Sequence, residues 1–171
     1  VLGKDGDTAV GIGASAVEHL LDAALRTGDP VALEAGLKGL GFLDQFDVPR
    51  AAQVWECPLH SPDILASGQA CRAYLLGYRL TGNERYLRRA IYWARTGLPF
   101  VYAWQAPEMP RLMKYATIPI FGATFFTGSW FGVPVQWNGL DYAAACLDLA
   151  PYDPSFPWRQ IAEGITISGM N

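Results

Sequence analysis

Charge is scarce in this chain of 171 residues. Only 17% are Asp, Glu, Lys or Arg while 51% are hydrophobic, which excludes a disordered chain and allows one sizeable core. Basic runs are absent. The 13 Lys and Arg against 16 Asp and Glu give a net charge of -3, without the basic stripe of a nucleic-acid binder. No stretch of about 18 apolar residues runs free of charge, so no membrane insertion is expected. No secretory leader is visible at Val1.

Cysteine is rare. Cys57, Cys71 and Cys146 stand far apart with no CxxC, which argues against a disulfide framework. Cys71 and Cys146 fall in apolar runs and read as buried small hydrophobes. The only histidines are His19, which reads as a structural mid-helix residue, and His60. Glu56, Cys57, His60 and Cys71 fit no strong zinc spacing, so neither a metal nor a cofactor is expected. An initiator Met is missing as well. The opening VLGKDGDTAVGIG and the closing SGMN read as the inside of a longer protein, or as a processed chain. The compartment stays open.

What the chain does have is a helical hairpin written twice. Residues 20–46 read LLDAALRTGDPVALEAGLKGLGFLDQF, and residues 74–100 read YLLGYRLTGNERYLRRAIYWARTGLPF. A shift of 54 places Thr27-Gly28-Asp29 on Thr81-Gly82-Asn83, Leu33 on Leu87 and Leu37 on Ile91. Repeated helix–turn–helix units stack. Ser15 is the expected cap of a first helix reaching Arg26. Gly28 ends it, and Pro30 opens a second that runs to Phe46, weakened by Gly36, Gly39 and Gly41. A proline-rich linker spans 47–62. A third helix follows from Asp63, its capping residue, to Leu80, and a fourth from Glu84 to Thr96. Residues 97–136 read as non-helical, and IPIFGATFFTGSWFGVPVQW within them predicts a short β-hairpin. A fifth helix covers Asn138 to Leu149 and a sixth Ser155 to Ser168. Hairpins at about 14–46, 62–98 and 137–168 thus make one all-α domain.

Helices three and five are apolar on nearly every side, whereas helix four is amphipathic and carries Arg85, Arg88, Arg89 and Arg95. That contrast predicts two layers, odd helices inside and even helices outside, with the arginines on a solvated face. Ala66, Gly68, Ala70, Ala73 and Ala143 to Ala145 let inner helices approach closely. Alternating helices put the tight turns at one end and the long connections, 47–62 and 97–136, at the other, where binding loops and inner-helix N-termini meet.

LLGYRLTGNERYLRRAIYWA and WNGLDYAAACLDL, with their TG-[DN] turns and long aromatic loops, resemble the (α/α)-toroid, or six-hairpin glycosidase-like, superfamily. The resemblance implies a ring of about twelve helices, of which this chain supplies half as stacked α-hairpins. It also implies a cleft at one end of the inner barrel and action on a carbohydrate. The chemistry would be hydrolysis by paired carboxylates, or lyase chemistry with Tyr, His and Arg or Asn. Half a ring leaves inner-helix surface open, so a second copy or the remainder of the chain is the expected partner.

Three groups of residues carry candidate chemistry. Trp55 to Asp63 hold Glu56 and His60 at the cleft end, both suited to acid/base work, with Asp63 read as a helix cap. The aromatic loop offers Trp104, Tyr115, Trp130 and, just beyond, Trp137, whose faces stack on sugar C–H faces; Trp55 joins them. Phe125, Phe126 and Phe131 read as packing residues. Asp141, one of two charges in apolar helix five, points into the ring mouth or caps its first turn. Glu56 with Asp141 is the preferred carboxylate pair, and their separation decides retention or inversion. The alternatives are a non-catalytic helical-repeat module that binds a glycan or protein, and a polysaccharide lyase. A terpene-cyclase-like toroid ranks last, because DxDD and DDxxD are absent.

Overall fold

Two glycines in the left-handed region, Gly28 at φ 72° and Gly82 at φ 68°, end the helices that repeat. Glycine takes that backbone without strain, and each returns its N–H to the preceding turn, at Ala24 and Tyr78. The computed structural model describes residue 4 and residues 6–54, 59–101 and 136–170. The two helices are α1, Val10–Thr27, and α3, Ile64–Thr81. The chain then turns into α2, Pro30–Leu43, and α4, Glu84–Thr96. The turns share one hydrogen-bond pattern. Asp29 and Asn83 accept from the N–H of Val31 and Arg85 at 2.9 and 3.0 Å, capping the outgoing helix. The hydroxyls of Thr27 and Thr81 donate back to Ala23 and Gly77 at 2.7 Å. A third hairpin joins α5, Gln136–Leu149, to α6, Trp158–Gly169. Its connection is folded around Asp153, which accepts from Ser155 N–H at 3.1 Å and from Trp158 Nε1–H at 2.8 Å.

The expected layers are present. α3 packs against α1 on one side and α5 on the other, while α2, α4 and α6 each cover their hairpin partner. Leu21, Leu40, Ile64, Tyr74, Trp93, Tyr142 and Trp158 are wholly buried in the core. Burial of each such side chain stabilises the fold by about 1.5–3 kcal/mol. Because each hairpin reverses direction, the inner helices run the same way, with their N-termini at the end of the long connections.

Several boundaries differ from expectation. α1 begins at Val10, not Ser15, and its cap position Ala9 makes no side-chain bond. The linker supplies the missing partner instead: Gly11 N–H donates to the Arg50 carbonyl at 2.8 Å. α2 stops at Leu43, short of Phe46. Gly36 and Gly39 do not break it, because they let it close on α1; a Cβ there would stand 2.5 Å from Leu21 and 2.4 Å from Val17. α6 starts at Trp158 rather than Ser155. Nor is the arginine face of α4 merely solvated. Arg85 bonds Asp44 at 2.6 Å, and Arg89 reaches the Phe46 carbonyl at 2.7 Å while lying over Tyr74, Tyr92 and Trp93, so both tie α4 to the end of α2. The β-hairpin expectation, at 118–137, lies outside the described residues up to position 135, and Gln136 and Trp137 open α5 instead.

Candidate active site on the inner helices

One ionic cluster crosses all three inner helices. Arg72, midway along α3, donates from Nε to Glu18 of α1 at 2.8 Å and from Nη2 to Asp141 of α5 at 2.7 Å. The same Nη2 also reaches Glu18 at 3.3 Å, and Nη1 donates to the Asp141 carbonyl at 3.0 Å. Two carboxylates are thereby bridged by a single guanidinium nitrogen, a geometry suited to the planar fork of arginine. The three side chains are only 16%, 19% and 27% exposed for Arg72, Glu18 and Asp141, so the attraction is weakly screened. Burial raises the Glu18 carboxyl above the usual range, against the pull of the Arg72 guanidinium; the Asp141 charge pushes the same way as burial. Arg72 is held more firmly protonated, because the two carboxylates outweigh its own burial.

The cluster borders a hollow of about 430 Å³ on the face of the inner row away from the outer helices. Glu18 and Asp22 from α1, Arg72 and Arg79 from α3, and Ala144 and Asp148 from α5 line it. That concave face is the lumen side of the layers. Asp141 lies past the first turn of α5, so it does not cap the helix. Its Oδ1 is bound by Arg72, and its Oδ2 is buried with no hydrogen-bond partner among the described residues, 3.2 Å from where a Cβ of Gly68 would stand. A Cβ on Gly68 would also stand 3.2 Å from Tyr142 Cα, so the glycine allows the close approach of α5 to α3 at this level. A buried, unpaired carboxylate oxygen costs about 1–3 kcal/mol, which the Arg72 guanidinium offsets at the other oxygen.

At the long-connection end, Asp63 caps α3 as expected. It accepts from Ala66 N–H at 2.7 Å and from Ala52 N–H at 3.2 Å, fastening the linker to the helix. Burial pushes its carboxyl up to about 6, against those two bonds. Asn138, in the first turn of α5, is fully buried, and neither amide atom finds a partner among the described residues. Trp137 beside it is 44% exposed. His60 is exposed in a separate shallow hollow with Thr8 and the end of α2, its Nε2 3.8 Å from Asp7. His19 is exposed on α1, its ring against the Ser15 carbonyl at 2.6 Å. Trp55, Glu56, Trp104, Tyr115 and Trp130 lie outside the described residues, and with them the distance from Glu56 to Asp141. Cys71 and Cys146 are buried free thiols; burial raises Cys71 and pushes Cys146 up to about 12, which makes both inert at neutral pH. Among the described residues no three His, Cys, Asp or Glu side chains form a metal site, and no helix is long and apolar enough to cross a membrane.

Sequence reasoning found Asp141 but missed Glu18 and Arg72. The signal was in the repeat: the two are 54 residues apart, so they occupy equivalent positions on successive inner helices.

The chain superposes on the crystal structure of the unsaturated glucuronyl hydrolase from Bacillus sp. GL1, which is responsible for the degradation of glycosaminoglycan. The TM-score is 0.61 at 15% identity, over 97% of this chain and 48% of that one. That structure has the (α/α) toroid, glycosidase-like fold, and the present chain is an incomplete toroid spanning about half its length. No family model and no curated protein matches the chain.

Proposed function

We propose that this chain forms part of a carbohydrate-active enzyme that hydrolyses a glycosidic bond between paired carboxylates. The observation that carries the reading is the carboxylate-bearing lumen face of an incomplete toroid, with Asp141 and Glu18 set on one arginine. Toroids of this shape include an enzyme of glycosaminoglycan degradation. In this reading Asp141 and Glu56 are the acid/base pair, and His60 assists proton transfer near neutral pH. Trp55, Trp104, Tyr115, Trp130 and Trp137 stack on sugar rings. No metal or cofactor takes part.

A second reading, a non-catalytic glycan-binding module, is favoured by one observation. Asp141 has one oxygen tied to Arg72 and the other buried, which leaves it little freedom to exchange a proton with a ligand. The test is turnover of an oligosaccharide panel by the wild type, Glu56→Gln and Asp141→Asn, with folding followed by circular dichroism. Loss of turnover in folded variants supports the enzyme. Full activity in both overturns the assigned pair. Affinity that depends on Trp130 and Trp137 with no turnover favours the module.

A further inference from the structure

The Arg72–Asp141 couple has a counterpart. Seven residues further along the same two helices stand Arg79 of α3 and Asp148 of α5. The helices run the same way and are in register where Arg72 meets Asp141 at 2.7 Å. The second couple therefore lies at one level, about 10 Å nearer the tight turns. The first couple is closed and mostly buried. The second is open: Arg79 and Asp148 are exposed, and among the described residues neither makes a hydrogen bond or an ion pair. Between the two levels lies the hollow of about 430 Å³, floored by Leu75 and Leu76 of α3 and Ala144 of α5. Beyond Arg79 a second hollow, of about 440 Å³, continues to the Gly82 turn. There Tyr78 and Tyr152 meet edge to face at 5.7 Å, and Tyr152 is 38% exposed. Arg79 lines both hollows, so they form one groove at the end of the inner helices away from the long connections.

The lining selects the ligand. Arg26, Arg72 and Arg79 face Glu18, Asp22 and Asp148. Arg26 is paired with Asp22 at 2.7 Å and Arg72 with Glu18 at 2.8 Å, which leaves one guanidinium fork and one carboxylate to be met from outside. An anion would meet three carboxylates there, and a cation three guanidiniums. A neutral hydroxyl group suits both, since it accepts from Arg79 and donates to Asp148. The leucine and alanine floor and the Tyr152 ring take the C–H faces of a sugar. A further packed helix would need an apolar wall, whereas these walls are charged. We propose that the groove is a second saccharide site, which binds a neutral sugar segment between Arg79 and Asp148 with Tyr152 as its stacking face. The ligand class rests on the carbohydrate reading above. The site does not rest on catalysis, because none of the three residues belongs to the acid/base pair. Nor does it rest on what stacks against the row, because α1, α3 and α5 all line it.

The test is calorimetric titration of the 171-residue chain with cellotriose, maltotriose and xylotriose. Trigalacturonate serves as the anionic probe and glycylglycine as the zwitterionic one. At least one neutral trisaccharide binds at millimolar concentration. Arg79→Met, Asp148→Asn and Tyr152→Ala each weaken that binding roughly tenfold, the effect of losing a hydrogen bond to a charged group or a stacking face. All three side chains are exposed, so circular dichroism of the variants stays that of the wild type. Affinity unchanged in the three variants, or no binding by any neutral trisaccharide, overturns the site. Tighter binding of trigalacturonate overturns the neutral ligand in favour of an anion, and tighter binding of glycylglycine in favour of a zwitterion. Cleavage of the same sugars, followed in parallel, separates the two readings. A chain that binds through these residues and cleaves nothing keeps the site and loses the hydrolase; one that cleaves a sugar with affinity indifferent to all three variants does the reverse.

Discussion

The first and second hairpins share a turn and differ in almost everything a neighbour decides. Thr27-Gly28-Asp29 and Thr81-Gly82-Asn83 make the same bonds at nearly the same distances. Yet Leu20 is 37% exposed where Tyr74 is buried, and Ala9 is a cap without a bond where Asp63 makes two. Glu18 and Arg72, also equivalent, carry opposite charges and pair with each other. The turn is local chemistry and repeats with the sequence. The flanks are set by position in the row, since among the described residues α3 has an inner helix on both sides and α1 on one. A repeat of this kind fixes its own hairpin and leaves its outer flanks to whatever stacks next.

The largest test of the comparison removes the residue that links the two repeats. Arg72→Met leaves Glu18 and Asp141 unpaired and mostly buried, and should destabilise the chain by about 3–5 kcal/mol in urea titration. Adding Glu18→Gln and Asp141→Asn should recover part of that. A loss under about 1 kcal/mol would reduce the cluster to an ordinary surface pair.

Equivalent truncations should then diverge. Tyr74→Ala empties a buried site and should cost about 3–5 kcal/mol by thermal unfolding. Leu20→Ala should stay within about 0.5 kcal/mol. Similar losses at both positions would mean that α1 is covered on its open flank within a single chain.

Asp63 gives the caps a pH signature. Its carboxyl titrates near 6 when folded, above the ordinary value of 3.8, so the native state holds a proton that the unfolded chain has released. Stability should therefore fall as pH rises from about 4 to about 6 and then level, by about 1–3 kcal/mol. Asp63→Asn should flatten that slope in equilibrium unfolding between pH 3.5 and 7. An unchanged slope would place the titration elsewhere.

The smallest effect tests the shared feature. Asp29→Ala and Asn83→Ala should each cost about 1 kcal/mol, and by equal amounts, because the two caps are the same bond in the same turn. A marked inequality would show that the neighbours reach the turns as well as the flanks.

The sequence by itself determined the hairpins. Gly-out and Pro-in signals, side-chain caps and apolar periodicity act over a few residues, so the layers, the α4 boundaries, the Asp63 cap and the buried Cys71 and Cys146 were legible. It misplaced the start of α1, because Gly11 is held by Arg50, a partner nearly forty residues away that no local pattern records. It read the α4 arginines as solvated, because Asp44 and the Phe46 carbonyl come into reach only when α4 packs on α3 beside the end of α2. It singled out Asp141 as a charge in an apolar helix, but not its partners. Glu18, Arg72 and Asp141 sit on three helices separated by 54 and 69 residues, and only inner-helix packing sets them at one level. Periodicity reports which face of a helix is covered; which charges meet across that face is decided when the helices are stacked.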